Sequence, residues 1–331
     1  MPEVALPVLV IAAAIGFGLV NGLNDAANAV AASVGSRALS LRNAVVLAAL
    51  CNFAGAATGL AVARTIGKDI LVPEAISYLT VIAGLLAAII WGSVATRLGL
   101  PVSVTHSFVT ALAAAGIAVM GTEAVMWHVL QHIGASVVVA PTLGFIAGFA
   151  FMLFLLWVSQ RGAPARLRVV FSRLQWLTTA FLSYSHGKND GQMPIAVITM
   201  ALVIHSGRVE LWDSIPWWVI VVSALSISLG TLAGGWRVIR TVGMRITTMQ
   251  PIHGFATQAS AATVIEIASR LGIPVSTTHC VTASTMGTGA TRRLSAVRWG
   301  VTKNIVLAWV LTFPICGALG WALASLLKAL L

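Results

Sequence analysis

The sequence predicts an all-α polytopic membrane protein built from two repeats with broken helices or re-entrant hairpins. Three observations carry that prediction. Of the 331 residues, 58% are hydrophobic and only 9% charged, with a mean hydropathy of +0.95, far less polar surface than a soluble domain of this size needs. The apolar runs are long enough for roughly ten helical crossings of a bilayer, and too long for β-barrel strands that alternate over about ten residues. Two polar motifs also recur in the same order at nearly constant spacing. Asn24-Asp25 returns as Asn189-Asp190, 165 residues on, and Leu98-Gly-Leu-Pro101-Val-Ser-Val-Thr-His106 returns 173 residues on as Leu271-Gly-Ile-Pro274-Val-Ser-Thr-Thr-His279.

Taken in order, the chain opens with an apolar run to Val20 that lacks the basic segment and small-residue cleavage site of a secretory signal, so it reads as the first span. It meets Asn21-Gly-Leu-Asn-Asp-Ala-Ala-Asn28, where Gly22 among polar side chains is expected to let the helix unwind, and continues to about Val34. A small-residue span from Asn43 to Ala63 follows, with Asn52 read as packing, then a polar connection from Arg64 to Pro73 and an apolar run from Glu74 to Ala95. Gly99 and Pro101 interrupt the hydrophobic sequence before it resumes at Phe108, which is how half-helices look from sequence. Val129 to Val158 is one long run or two divided near Pro141.

The basic stretch 159–173 reads as the loop joining a first repeat, 1–158, to a second, 174–331. The second repeat has the same plan: an Asn-Asp element after Tyr184, Trp212, Trp217 and Trp218 as interfacial belt residues, a run from Gly254 to Ala268, the second Pro-Val-Ser element, and one or two crossings from Trp299. Duplication with a broken segment at matching places is the mark of a secondary transporter whose site lies at the repeat interface.

The net charge of +11 does not indicate a nucleic-acid partner. Its Arg and Lys residues gather in short loops, at Arg161 to Arg173, Arg237 to Arg245 and Arg292 to Lys303, and such loops are expected on the cytoplasmic face of an inner or plasma membrane. Cys51, Cys280 and Cys316 are scattered and odd in number, so they point to neither a disulfide framework nor a metal site. A nucleotide-binding Gly-rich loop with its Lys-Ser or Lys-Thr is missing from the sequence, and nothing in it points to an enzyme.

The motifs resemble those of the PiT-type inorganic phosphate transporters. Asn24-Asp25-Ala-Ala-Asn28 looks like the first signature of that family, His186-Gly-Lys-Asn-Asp190-Gly-Gln192 the second as found in short bacterial members, and both Pro-Val-Ser-x-Thr-His elements match. The resemblance runs from end to end. It implies inverted repeats and a symporter that couples anion uptake to sodium or protons by alternating access, with no other cofactor. Lys188, where a small polar residue is expected, and Val104, opposite Thr277, depart from the pattern.

The chemistry of the residues points the same way. Phosphate stripped of water needs many converging donors, and a helix opening near Pro with Ser and Thr around it supplies free N–H groups and hydroxyls. Ser103, Thr105, Ser276, Thr277 and Thr278 are therefore candidates to surround one oxyanion, though the same residues also serve as ordinary helix caps. Asp25 and Asp190 would repel a dianion unless something positive intervenes. Asn24, Asp25, Asn28, Asn189, Asp190 and Gln192 are accordingly candidates for coupling-cation coordination or proton exchange, with Asp25 and Asp190 also touching a protonated phosphate oxygen. His106 and His279, at equal positions, are candidate proton relays. Sulfate in the same fold and an anion channel are the alternative readings, and the sequence leaves monomer and homodimer both open.

Overall fold

The computed structural model describes residues 5–68, 70–273 and 275–330. Met1 to Val4, Asp69 and Leu331 lie outside them, as does Pro274 of the second hairpin motif. Among the described residues every extended element is helical.

The first repeat comprises α1 (Ala5–Gly35), α2 (Leu41–Ala56), α3 (Ala61–Lys68), α4 (Tyr78–Leu98), α5 (Val104–Met120) and α6 (Trp127–Ser159). The second comprises α7 (Pro164–Asp190), α8 (Gln192–Ser206), α9 (Trp217–Ala233), α10 (Trp236–Arg240) with a π-helical turn to Arg245, α11 (Pro251–Arg270), α12 (Thr277–Ala290) and α13 (Trp299–Leu330). Helix α1 matches α7–α8, bent α2–α3 matches bent α9–α10, and the hairpins α4/α5 and α11/α12 match each other. The C-terminus of α1 at Gly35 and the N-terminus of α7 at Pro164 line one cavity. The matched helices therefore run in opposite senses, and the repeats are inverted.

The halves are interlocked. Helix α6 packs on α12 of the other repeat while α13 packs on α5, and α1 packs on α9 as α7 packs on α2. Each hairpin turns on a glycine with left-handed backbone, Gly99 (φ 72°) and Gly272 (φ 70°), a conformation that side-chain-bearing residues resist. Each turn then seats beside the bend of the opposite repeat: Gly272 lies against Ala61 and Thr65 of α3, and Gly99 against Arg237 of α10.

Several expectations need correction. Helix α1 does not unwind at Gly22; it is continuous, and Gly22 admits the carbonyl of Ile227 from α9, just as Gly187 admits that of Asn52. The supposed loop 159–173 is helical from Pro164, which suits the first turn of a helix, so the connection is confined to 160–163. Arg64 belongs to α3, and α6 and α13 each run unbroken through Pro141 and Pro314. Trp212 is buried with its ring against Gly67 and is not a belt residue, unlike exposed Trp217. Roughly ten crossings were expected from apolar length. Among the described residues four helices are long and apolar enough to span, or up to six when each bent pair counts as one; α5, α8 and α12 have only 17, 15 and 14 residues.

Most of the basic residues gather at one end. The segments 36–42, 160–173, 234–250 and 291–303 carry Arg and Lys with no Asp or Glu, and they meet at one end of the bundle through such contacts as Arg298 to the carbonyls of Met244 and Arg245. Glu74, Glu123, Glu210 and Asp213 occupy turns at the opposite end.

Candidate functional site

The two hairpins enter from opposite ends, and their tips meet between the repeats. Ser103 and Ser276 cap α5 and α12: each side-chain oxygen accepts the backbone N–H of a histidine, His106 at 3.2 Å and His279 at 3.1 Å. Capping thus accounts for both serines, although each hydroxyl keeps a proton to donate. The following threonines turn toward the carboxylates, and the matched pair Thr105 and Thr278 do so across the repeat boundary.

Thr278 donates to Asp25 Oδ1 at 2.9 Å and its counterpart Thr105 donates to Asp190 Oδ1 at 2.8 Å. Asn24 and Asn189 are also a matched pair. Asn24 Nδ2 donates to Thr96 Oγ1 (2.8 Å) and to the Leu100 carbonyl (3.4 Å), and Asn189 Nδ2 donates to Ser269 Oγ (3.0 Å) and the Ile273 carbonyl (3.5 Å). Their amide oxygens, with that of Asn28, are buried and have no partner among the described residues. Asn28 Nδ2 donates to Thr277 and Thr278.

Symmetry is broken at two places. Thr277 donates to Asp190 Oδ2 at 2.7 Å, whereas Val104, its counterpart, has no hydroxyl for Asp25. His186 stands where the first repeat has Asn21, and its Nε2 lies 3.6 Å from Asp25 Oδ2 and 3.4 Å from Asp190 Oδ2. A chain of bonds fixes the histidine. Thr231 spends its hydroxyl proton on the Ile227 carbonyl and so accepts from Asn52 Nδ2; Asn52 Oδ1 then faces His186 Nδ1 at 3.0 Å. Nδ1 therefore carries a hydrogen, and Nε2 faces both carboxylates.

One possible ligand atom each from Asp25, His186 and Asp190 thus lies within 4.8 Å of the others, all buried. Such a cluster is stable only around a positive species. The residues suit an ion with oxygen and imidazole ligands, whose charge would offset that of the carboxylates.

Not every sequence candidate joins this group. Both ends of Gln192 are engaged, its oxygen by the Ala63 N–H at 3.0 Å and its nitrogen by the Lys188 carbonyl, so it ties α8 to α3. His106 and His279 face each other at 5.2 Å between ring centres, and His279 packs at a tilt against Trp309, 4.0 Å between ring centres. Their ring nitrogens have no partner among the described residues. Glu266 binds Lys188 (2.6 Å) and Arg270 (2.8 Å) where α7 passes the end of α11. Asn52, Thr96 and Ser269 escaped sequence reading because single buried amides and hydroxyls are usually packing. His186 is visible in the sequence as the first residue of the second signature, and the register of the repeat sets it against Asn21.

Inverted repeats, crossed hairpins and paired buried carboxylates at the seam define a secondary carrier of the multi-pass membrane type. The phosphate transporter family model matches residues 21–169 and 159–320, and the chain belongs to that family. It is 39% identical over 94% of its length to a probable low-affinity inorganic phosphate transporter of Rhizobium meliloti, covering 93% of that protein. It is 37% identical to one of Bacillus subtilis, with 95% of each chain covered. A solved structure described as the sodium-dependent phosphate transporter superposes with a TM-score of 0.90 at 29% identity, covering 98% of this chain and 100% of that one.

Proposed function

We propose that this chain carries inorganic phosphate across a bacterial inner membrane in symport with a cation, by alternating exposure of the site between the hairpin tips. The observation that carries this reading is the convergence of Asp25, Asp190 and His186 Nε2 from both repeats on one buried point. A cation there offsets the carboxylates and lets a desolvated anion approach the hydroxyls of Thr105, Thr277 and Thr278 and the free hydrogens of Ser103 and Ser276. Asn24, Asn28 and Asn189 offer amide oxygens without a partner among the described residues, hard ligands of the kind sodium takes, and the sodium-dependent neighbour supports sodium as the coupling ion.

Phosphate is favoured over sulfate because a carboxylate only accepts hydrogen bonds, and phosphate carries an O–H at neutral pH where sulfate does not. A closed site also disfavours a channel, which needs a continuous polar path: Asp25 and Asp190 are 2% and 1% exposed. No catalytic role is assigned to any residue. The basic end, with the 160–163 connection, faces the cytoplasm under the positive-inside rule.

The test is uptake of labelled phosphate into proteoliposomes with sodium and pH gradients imposed independently. Accumulation against the phosphate gradient driven by sodium alone is expected, with strong competition by arsenate and weak competition by sulfate. Strong sulfate and weak arsenate competition would reject phosphate, and downhill flux without a driving ion would reject symport.

A further inference from the structure

A cavity away from the carboxylates opens at the basic end. It measures about 830 Å³ and is bounded by the C-terminal ends of α1 and α6 and the N-terminal ends of α7 and α11. We propose that it is a binding site for the phosphate-bearing headgroup of an anionic phospholipid.

Charge comes first. Arg37 and Arg168 both line the cavity, and neither has a carboxylate within salt-bridge reach among the described residues. None is near in sequence either, since 36–42, 160–173 and 234–250 contain no Asp or Glu. Each of these two arginines lining one cavity carries a guanidinium fork suited to phosphate oxygens.

Backbone donors add to this. Helices α2, α4, α5 and α12 each begin with a serine that accepts a backbone N–H. Helices α7 and α11 begin instead at Ala163 and Gln250, with no side-chain cap, and their opening residues Pro164, Ala165, Pro251 and Ile252 line this cavity. Pro164 and Pro251 carry no N–H, so the first free donors are those of Ala165 and Ile252, which line the same cavity as the two arginines, and such groups favour an anion.

A lipid fits better than free phosphate because of the walls. Leu156, Leu167, Phe171, Met249 and Ile252 make much of the lining, and the neighbouring rim residues Trp157, Val158, Val169 and Val170 are exposed apolar side chains. A headgroup held by Arg37 and Arg168 would leave its acyl chains on that rim. Basic pockets between spanning helices on the cytoplasmic side are recurrent sites for anionic lipids. The position matters for transport: Gln175 bridges the two halves beside the cavity, accepting from Ser36 at 3.0 Å and donating to the Pro251 carbonyl at 2.9 Å, and Ser36 follows the helix that carries Asp25.

The experiment is native mass spectrometry of the intact protein released from vesicles of phosphatidylcholine with one-fifth phosphatidylglycerol, read as the fraction of protein retaining phosphatidylglycerol. The wild type is expected to retain about one molecule. In the R37Q/R168Q double variant the affinity should fall about 30-fold, on roughly 1 kcal/mol per arginine near a membrane surface, with R168Q alone between the two. The R161Q/R166Q variant removes the same charge from the same end at residues outside the Arg37–Arg168 pair, and should retain lipid as the wild type does. Equal loss in both double variants would reduce the effect to surface charge and overturn the site. Displacement of the lipid by millimolar inorganic phosphate would also overturn it, by identifying free phosphate as the occupant. Unchanged retention in R37Q/R168Q, with the protein monodisperse, would refute it outright.

Discussion

Replacing Asp190 by Asn separates a charge effect from a folding effect, because the structure gives the two opposite signs. The oxygens of Asp25 and Asp190 in the cluster lie no more than 4.8 Å apart, so at an effective dielectric of about 20 the empty pair repels by at least about 3.5 kcal/mol. Asp190 also accepts from Thr105 and Thr277. Asn keeps one acceptor oxygen and loses one of these bonds, worth about 1.5 to 3 kcal/mol to a charged acceptor. The difference favours the variant by roughly 0.5 to 2 kcal/mol when no cation is bound. With sodium the order reverses, since the wild type gains about 2.7 kcal/mol at a hundred times its dissociation constant and the variant has lost one of the two charges that hold the ion. Thermal unfolding of the detergent-solubilised protein, followed by tryptophan fluorescence at constant ionic strength with sodium replaced by choline, reads both. D190N should unfold at or above the wild-type temperature in choline, show no rise with sodium, and give no coupled uptake. A fall of several degrees in choline would mean that the carboxylates are already balanced by a positive charge in the empty site. A sodium shift equal to that of the wild type would end the cation role for Asp190.

Other perturbations follow from the same geometry. Thr277→Val removes one of two hydroxyls on Asp190 while Asn28 keeps Thr278 as a partner; the apparent sodium affinity in uptake assays should fall about 10- to 100-fold, and the denaturation midpoint should report a loss of about 1.5 to 3 kcal/mol. Asn52→Leu leaves His186 Nδ1 and Thr231 without the amide between them, which should cost about 1 to 3 kcal/mol in a denaturation midpoint and lower uptake, whereas wild-type values in both would show that the histidine is held by packing alone. Gly187→Ala drives a methyl into the Asn52 carbonyl where α7 crosses α2, so folded yield should collapse in size-exclusion profiles. Gly134→Ala, at an exposed position of α6 with nothing within 4 Å, should be stabilising by up to about 1 kcal/mol.

The sequence by itself determined the membrane class, the duplication and the identity of the polar motifs, because hydropathy and repeated residues are local quantities that survive without coordinates. Its register even held the histidine that breaks the symmetry, at the position of Asn21. The tertiary structure alone decided how the repeats share their parts. That Thr278 of one half serves Asp25 of the other depends on two hairpins entering from opposite ends, and no spacing along the chain encodes such an entry. The same holds for Gly22, where polar neighbours suggested a break in the helix but a carbonyl from α9 needed the space. It holds for Gln192 too, whose amide looked like an ion ligand until the Ala63 N–H was found at its oxygen. Buried polar groups go to whichever partner the packing brings within reach, so their roles are settled by contacts between distant segments.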